Sequence, residues 1–233
     1  MSDGPERPDQ APERVLPLVV RVERAAPPGR TDALEAAARA VLTLLADPRA
    51  SAGEWAAAVR AWEAGRIRKV VRRARGADWR RASALPGITV RVRSAEVRVH
   101  PPVPLDGWPA DLARLQVQGT ELVDPAPPQP ADPWAPVLWL NPGLTMTAGK
   151  AMAQVGHGAQ LGWWALDAAA RQAWAAGGFP LAVRTAPAGR WERLLGGGLP
   201  LVRDAGFTEL RPGACTVVAE LPWLPAGQGR AGR

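Results

Sequence analysis

Trp62-Glu63-Ala64-Gly65 and Trp174-Ala175-Ala176-Gly177 are two versions of one phrase, and the surroundings they share decide the fold. Each opening tryptophan is followed by another at the same distance, Trp79 and Trp191. Each second tryptophan leads into a Leu-Pro step, Leu85-Pro86 and Leu199-Pro200. Working outward, short apolar runs lie between the tryptophans, Ile67 to Val71 and Leu181 to Val183, and read as strands. Beyond the Leu-Pro steps come Ile88 to Val92 with Val97 to Val99, and Leu201-Val202 with Thr216 to Leu221. Upstream, each half opens with a strand, Leu16 to Val22 and Val137 to Leu140, followed by alanine-rich helical sequence. Both halves therefore read strand, helix, helix, strand, helix, strand, strand. Self-similarity of this kind predicts a duplicated α/β unit, with helices covering the faces of a mixed sheet.

The corresponding division of the chain is a disordered tail over 1–15, an α/β copy over 16–103, a connector over 104–136, a second copy over 137–224 and a flexible tail over 225–233. The connector is proline-rich, with one helical stretch near Ala110 to Leu115. The N-terminal copy reads as degenerate. Its first long helix, Thr31 to Leu45, holds neither lysine nor histidine and looks like a packing helix.

The C-terminal copy differs where chemistry would sit. Thr147 is a natural N-cap, which places Lys150 in the first helical turn, where exposed N–H groups and the helix dipole disfavour a cation. Only Lys69 and Lys150 are lysines among the 29 Lys+Arg of the chain, so composition does not explain the choice. A bound anion would, since the ammonium and the N–H groups can then point at the same oxygens. Lys150, Gln154, His157 and Leu161 fall on one helical stripe, and Met152, Val155, Ala159 and Trp163 on an apolar stripe beside it.

A net charge of +7 and a pI near 11.1 suit a polyanionic partner, and suit equally an arginine-rich chain without one. The first fifteen residues lack the apolar core of a leader and no run is long enough to span a bilayer, so a soluble, cytoplasmic protein is expected. One cysteine, Cys215, makes no internal disulfide, and with two histidines, His100 and His157, a His/Cys metal site is not supported. No metal or other cofactor is expected. Cys215 has no activating base near it in sequence and reads as a small core residue.

Met146, Gly149-Lys150, Ala151 to Gln154 and His157 are followed by Leu199-Pro200, Asp204-Ala205-Gly206-Phe207-Thr208, Pro212-Gly213 and Thr216-Val217. In type, order and spacing this set resembles the type II peptidyl-tRNA hydrolases, the archaeal and eukaryotic class, over about 137–222. Gly143 stands where that family commonly has an acidic residue, and Phe207 where it has a basic one. The resemblance implies a four-stranded mixed sheet flanked by helices, no cofactor, and hydrolysis of the ester between peptide and tRNA. Members often pair as dimers, so it also implies either a homodimer or a pseudo-dimer in which the N-terminal copy stands in for a second subunit.

Ester hydrolysis needs water oriented or deprotonated, an oxyanion stabilised and a proton for the leaving ribose oxygen. Lys150 is the candidate for the oxyanion or the terminal phosphate, and Asp204 for orienting water or pairing with Lys150. The plainer reading of Asp204 is a turn cap. His157 is the natural base by type, though it lies nearly three turns down the helix. Gln154 can bridge substrate and Lys150 or serve as a plain helix-surface residue. Thr147, Gly149, Thr208 and Thr216 are candidates for substrate contact, although threonine is also an ordinary strand residue. A second cluster, Arg66, Arg68, Lys69, Arg72 and Arg73, either grips RNA or is a solvated basic face. Trp163 and Trp164 either stack on a terminal adenine or fill the core. The rival to the enzyme is a catalytically silent RNA-binding or ribosome-associated module of the same fold.

Overall fold

The computed structural model describes residues 12–117, 120–132, 134–206 and 209–224. The N-terminal copy contains β1 (Arg14–Arg21), α1 (Arg30–Ala46), α2 (Pro48–Ser51), α3 (Ala56–Glu63), β2 (Lys69–Ala74), α4 (Gly76–Ala84), β3 (Ile88–Val92) and β4 (Ala95–Val99). The connector contributes β5 (Val103–Pro104) and α5 (Ala110–Ala113). The C-terminal copy contains β6 (Val137–Leu140), α6 (Ala148–Ala165), α7 (Ala168–Ala176), β7 (Ala182–Thr185), α8 (Ala188–Gly196), β8 (Leu201–Arg203) and β9 (Cys215–Glu220).

The two sheets repeat one path, β2-β1-β4-β3 and β7-β6-β9-β8. In each, the first strand is parallel to the second, as Leu16 with Lys69 and Val137 with Ala182, and antiparallel to the last, as Val20 with Val97 and Leu140 with Val217. The last two strands form an antiparallel pair in both. The chain is thus a mixed α/β protein of two like sheet-helix units. One departure is β5, whose Val103 and Pro104 pair with Val15 and Arg14 and give the N-terminal sheet a fifth strand in place of the expected four. The first strand accordingly starts inside the predicted tail, and the predicted boundary at 104 falls on a strand.

The repeated phrase has a mechanical meaning. Trp62 is buried and its Nε1 donates to the Arg68 carbonyl at 2.9 Å, while Trp174 is buried and donates to the Pro180 carbonyl at 2.9 Å. Just before each of those carbonyls the backbone turns left-handed, at Ile67 (φ 46°) and Phe179 (φ 58°). A side chain with a Cβ resists that conformation, so the anchored indole holds the turn that feeds each helix end into the next strand. Ile67 was expected to open a strand; because it occupies this turn, β2 begins only at Lys69.

At the centre α1 and α6 pack on one another between the sheets. Each covers its own sheet and also touches the second strand of the opposite unit, α6 on β2 and α1 on β7. Glycines make α6 thin enough for this position. A Cβ at Gly158 would lie 2.7 Å from Val217 Cγ1 of its own sheet, and one at Gly156 would crowd Val41 and Lys69 of the other copy. Helix-interior glycine costs about 1 kcal/mol against alanine, offset here by close packing on both sides. One apolar core therefore runs through both copies, from Leu16, Leu18 and Val41 to Met152, Val155 and Val217. Two smaller clusters lie on the outer sheet faces around the second repeated tryptophans, Trp79 with Leu112 and Trp191 with Leu194.

The connector passes both central helix starts. The Thr120 carbonyl accepts from Ala148 N at 3.1 Å and the Val123 carbonyl from Arg30 N at 3.3 Å. Asp124 accepts from Thr31 N at 2.8 Å and from its hydroxyl at 2.6 Å. No helix among the described residues is long and apolar enough to cross a membrane.

Candidate functional site

Lys150 and Asp204, far apart in sequence, meet with Nζ 2.5 Å from Oδ2. The helix start sets the lysine: Thr147 is the N-cap of α6, its hydroxyl accepting from Lys150 N at 3.3 Å. The sheet sets the aspartate. It follows β8, with its N–H donating to the Ala214 carbonyl at 2.9 Å and its carbonyl accepting from Gly213 N at 2.7 Å. Gly206 then turns at φ 80°, where a Cβ would lie 2.4 Å from Pro212 Cγ, so only glycine closes this loop.

Both readings of Asp204 hold at once. Oδ1 accepts from Gly206 N at 2.8 Å as a turn cap, while Oδ2 takes the Lys150 ammonium and Gln154 Nε2 at 2.8 Å. Gln154 in turn accepts from the Thr216 hydroxyl at 2.5 Å. Thr216, Gln154 and Asp204 are buried, and each hydrogen-bonded group in this line is fixed by the next. Lys150, with a side chain 12% exposed, is the member that reaches the open space. The cation at the helix start thus has a carboxylate of the protein as its partner. A second carboxylate, Glu209, takes the Thr147 N–H at 3.0 Å and hydroxyl at 2.6 Å, placing negative charge at the positive end of α6. Thr147 is therefore engaged as a cap. Among the described residues no acceptor meets the Gly149 N–H, which leaves one first-turn donor beside Lys150. Thr208, like Phe207, lies outside the described residues.

A cavity of about 1010 Å³ opens at this pair. Its α6 wall carries Lys150, Gln154, His157 and Leu161, the stripe expected from the sequence, and its far wall is Arg66 to Val71 of the N-terminal copy. Val117 of the connector and Glu209 close the sides. Arg66, Arg68 and Lys69 are thereby brought to the site, and Arg72 and Arg73 are not. Arg72 stacks on Trp108 and donates to the Ala113 and Leu115 carbonyls, and Arg73 holds Gln116, so both fasten the connector.

Lys69 is no surface cation. It is buried, its Nζ 2.5 Å from Gln160 Oε1, 3.3 Å from the Ile67 carbonyl and 3.2 Å from His157 Nδ1. Burial pushes its pKa well down, opposed by the nearby Glu63 charge. His157, half-buried in the cavity wall, is likewise held well below the usual imidazole range by burial, then by Lys69 and Lys150. Sequence reasoning missed Gln160 and Glu209. Gln160 lies one turn beyond His157 and was visible in the helical spacing, whereas Glu209 meets Thr147 only through the folded loop. Trp163 packs edge-on against Phe179 at 5.7 Å and near Trp174, and Trp164 donates to Glu63, so both serve the fold. Cys215 is only partly buried, with Arg203 Nη1 3.2 Å from its sulfur.

The N-terminal copy carries a counterpart. Asp32 stands three residues past the N-cap Gly29, as Lys150 does past Thr147, and meets Arg93 in the β3–β4 turn with Nε 2.6 Å from Oδ1. Arg93 also reaches buried Glu35 at 2.6 Å, which in addition takes Arg184 Nη1 at 2.8 Å and Val183 N at 3.2 Å from β7. Compared with known proteins, the chain matches no family model and no curated sequence.

Proposed function

We propose that the chain hydrolyses the ester joining a peptide to tRNA, with Lys150 and Asp204 at the reacting centre. The observation that carries this reading is their contact, braced by Gln154 and Thr216, at the edge of a cavity large enough for an acyl group and a terminal nucleoside. Asp204 orients the attacking water. Lys150 Nζ and the Gly149 N–H stabilise the oxyanion as water oxygen bonds to the acyl carbon. The ester C–O bond then breaks, and the ribose oxygen leaves with a proton that came from water. Arg66 and Arg68 at the opposite wall supply positive charge for phosphates.

One observation favours the silent RNA-binding module: both Asp204 oxygens already accept from protein donors. The deciding measurement is release of N-acetylated amino acid from charged tRNA by the wild type, Lys150→Ala and Asp204→Asn, with folding checked by circular dichroism. The enzyme reading expects turnover in the wild type and a loss of about 100 to 1,000-fold in each variant. Equal turnover in all three removes this site. Tight tRNA binding without release selects the silent module.

A further inference from the structure

We propose that Lys69, contributed by the N-terminal copy, is a positioning residue that fixes the His157 ring with Nε2 as a hydrogen-bond acceptor in the cavity, where it reads an N–H group of the substrate. This rests on the hydrolase reading for the identity of the substrate; the arrangement of the ring stands on its own geometry.

The argument is a count of donors and acceptors around one nitrogen. Among the described residues Lys69 Nζ has three hydrogen-bonding neighbours, and two of them, Gln160 Oε1 and the Ile67 carbonyl, can only accept. The third, His157 Nδ1, accepts or donates according to the ring's tautomer. A charged ammonium would give three protons and leave Nδ1 bare and Nε2 protonated. A neutral amine gives two and receives one, which puts the ring proton on Nδ1 and leaves Nε2 bare.

The surroundings choose between these states. Lys69 is 6% exposed and all three of these partners are uncharged atoms. Burying an ammonium without a paired carboxylate is strongly unfavourable. The Trp62 face 4.8 Å away returns only part of that, and Glu63 acts without forming an ion pair with it among the described residues. The neutral amine wins. Gln160, fully buried, keeps its Oε1 on Lys69 while its own Nε2 has no acceptor among the described residues.

Nε2 of His157 has no protein partner among the described residues and is not sealed from the cavity whose wall the ring forms. Seven residues of helix separate His157 from Lys150, about 10 Å at 1.5 Å per residue, too far for proton transfer at the ester. A bare imidazole nitrogen at that distance is a recognition group. Two sources of an N–H donor lie at such a reach from the ester: the 6-amino group of the terminal adenine, and an amide along the peptide.

The test begins with the intact wild-type chain labelled with nitrogen-15 histidine. It holds two histidines, and His157→Asn assigns the signals. At neutral pH the expected result is His157 protonated at Nδ1 and bare at Nε2, with Lys69→Met moving the proton toward Nε2. A wild-type ring protonated at Nε2, or a tautomer unchanged by Lys69→Met, overturns the proposal. In kinetics with peptidyl-tRNA, Lys69→Met and His157→Asn raise KM about tenfold with kcat nearly constant, as loss of one substrate hydrogen bond away from the chemistry requires. A fall confined to kcat overturns the recognition role. Terminal purine in place of adenine raises wild-type KM if the base is read, and lengthening the peptide from one residue to three lowers it if an amide is read. Neither effect should persist in His157→Asn, and absence of both in the wild type counts against the proposal. A wild type that hydrolyses no peptidyl-tRNA defeats the hydrolase reading while the tautomer measurement still decides the role of Lys69.

Discussion

Each copy pairs the third residue of its central helix with the turn after its third strand, and the two pairs have opposite polarity. In the N-terminal copy the acid is on the helix, Asp32, and the base on the turn, Arg93; in the C-terminal copy Lys150 is on the helix and Asp204 on the turn. The first arrangement agrees with the helix dipole, and an acidic residue in the first turn is worth about 0.3 to 1 kcal/mol. The second opposes it and needs Glu209 and Asp204 to offset the conflict. The loops differ in the same sense. Arg93-Ser94 close a tight hairpin that Asp32 grips through both Ser94 N and Oγ, whereas the connection from β8 to β9 is longer and brings Asp204, Ala205 and Glu209 to the cavity. One copy of the pair ties a hairpin to its helix start, and the other sets its cation at the edge of a cavity.

The largest effect that would break this contrast is on turnover. Lys150→Ala and Asp204→Asn each lower peptidyl-tRNA hydrolysis about 100 to 1,000-fold. Arg93→Ala, the matching change in the other copy, leaves kcat within about twofold because it touches no substrate. The exchanged double variant, Lys150→Asp with Asp204→Lys, sharpens the point. It regains much of the stability lost by either single change in urea titrations, yet stays inactive in the same release assay, because an acid on the helix holds no oxyanion.

Next in size is Glu35→Ala. It leaves Arg184 and the Val183 N–H without their buried acceptor and lowers unfolding free energy by about 3 kcal/mol, read as a shift in the denaturation midpoint. A shift below about 1 kcal/mol would show that α1 and β7 are held by apolar packing alone.

Each copy also holds one histidine with a lowered pKa. His100 donates through Nδ1 to the Pro86 carbonyl at 2.7 Å, and burial brings it from 6.5 down to about 4. Its folded value lies below its unfolded one, so the unfolded chain binds more protons between them. The associated stability is whole above pH 6.5 and is lost as pH falls toward 4, at most about 3 kcal/mol. His100→Gln flattens that part of the stability profile.

The smallest expected change is Asp32→Ala, about 1 kcal/mol from the loss of a first-turn acid and its turn contacts. The Asp32 carboxyl would be raised by burial, but hydrogen bonds from Ser94 and Arg93 outweigh it and hold it below its usual value. This contribution is present above an unfolded value of about 3.9 and fades only as pH falls below it, so at neutral pH thermal unfolding reports it in full.

Much of this architecture was legible because the same phrase is written twice. Element order followed from apolar runs between paired tryptophans, and Thr147 announced the start of α6. What failed was local. Ile67 is β-branched and sits before an apolar run, so its pattern says strand, while an indole bond from Trp62 imposes a left-handed turn. Lys69 lies in a run of cations that reads as a solvated face. Strand alternation puts it with Val71 on the inner side, and register had to be known before that was visible. The Lys150 stripe could be drawn on a helical wheel. Its answering carboxylate came from a type and order of residues, and Glu209 from neither, since nothing local ties an acid in a loop to a threonine on another element.

The connector carries a last implication. Because its carbonyls and Asp124 satisfy the opening amides of α1 and α6, each repeat begins its main helix on atoms that belong to neither. A chain break between Thr120 and Val123 would put each cap on the wrong fragment and leave both central helices with unsatisfied starts, so the two like units are not separable at that point.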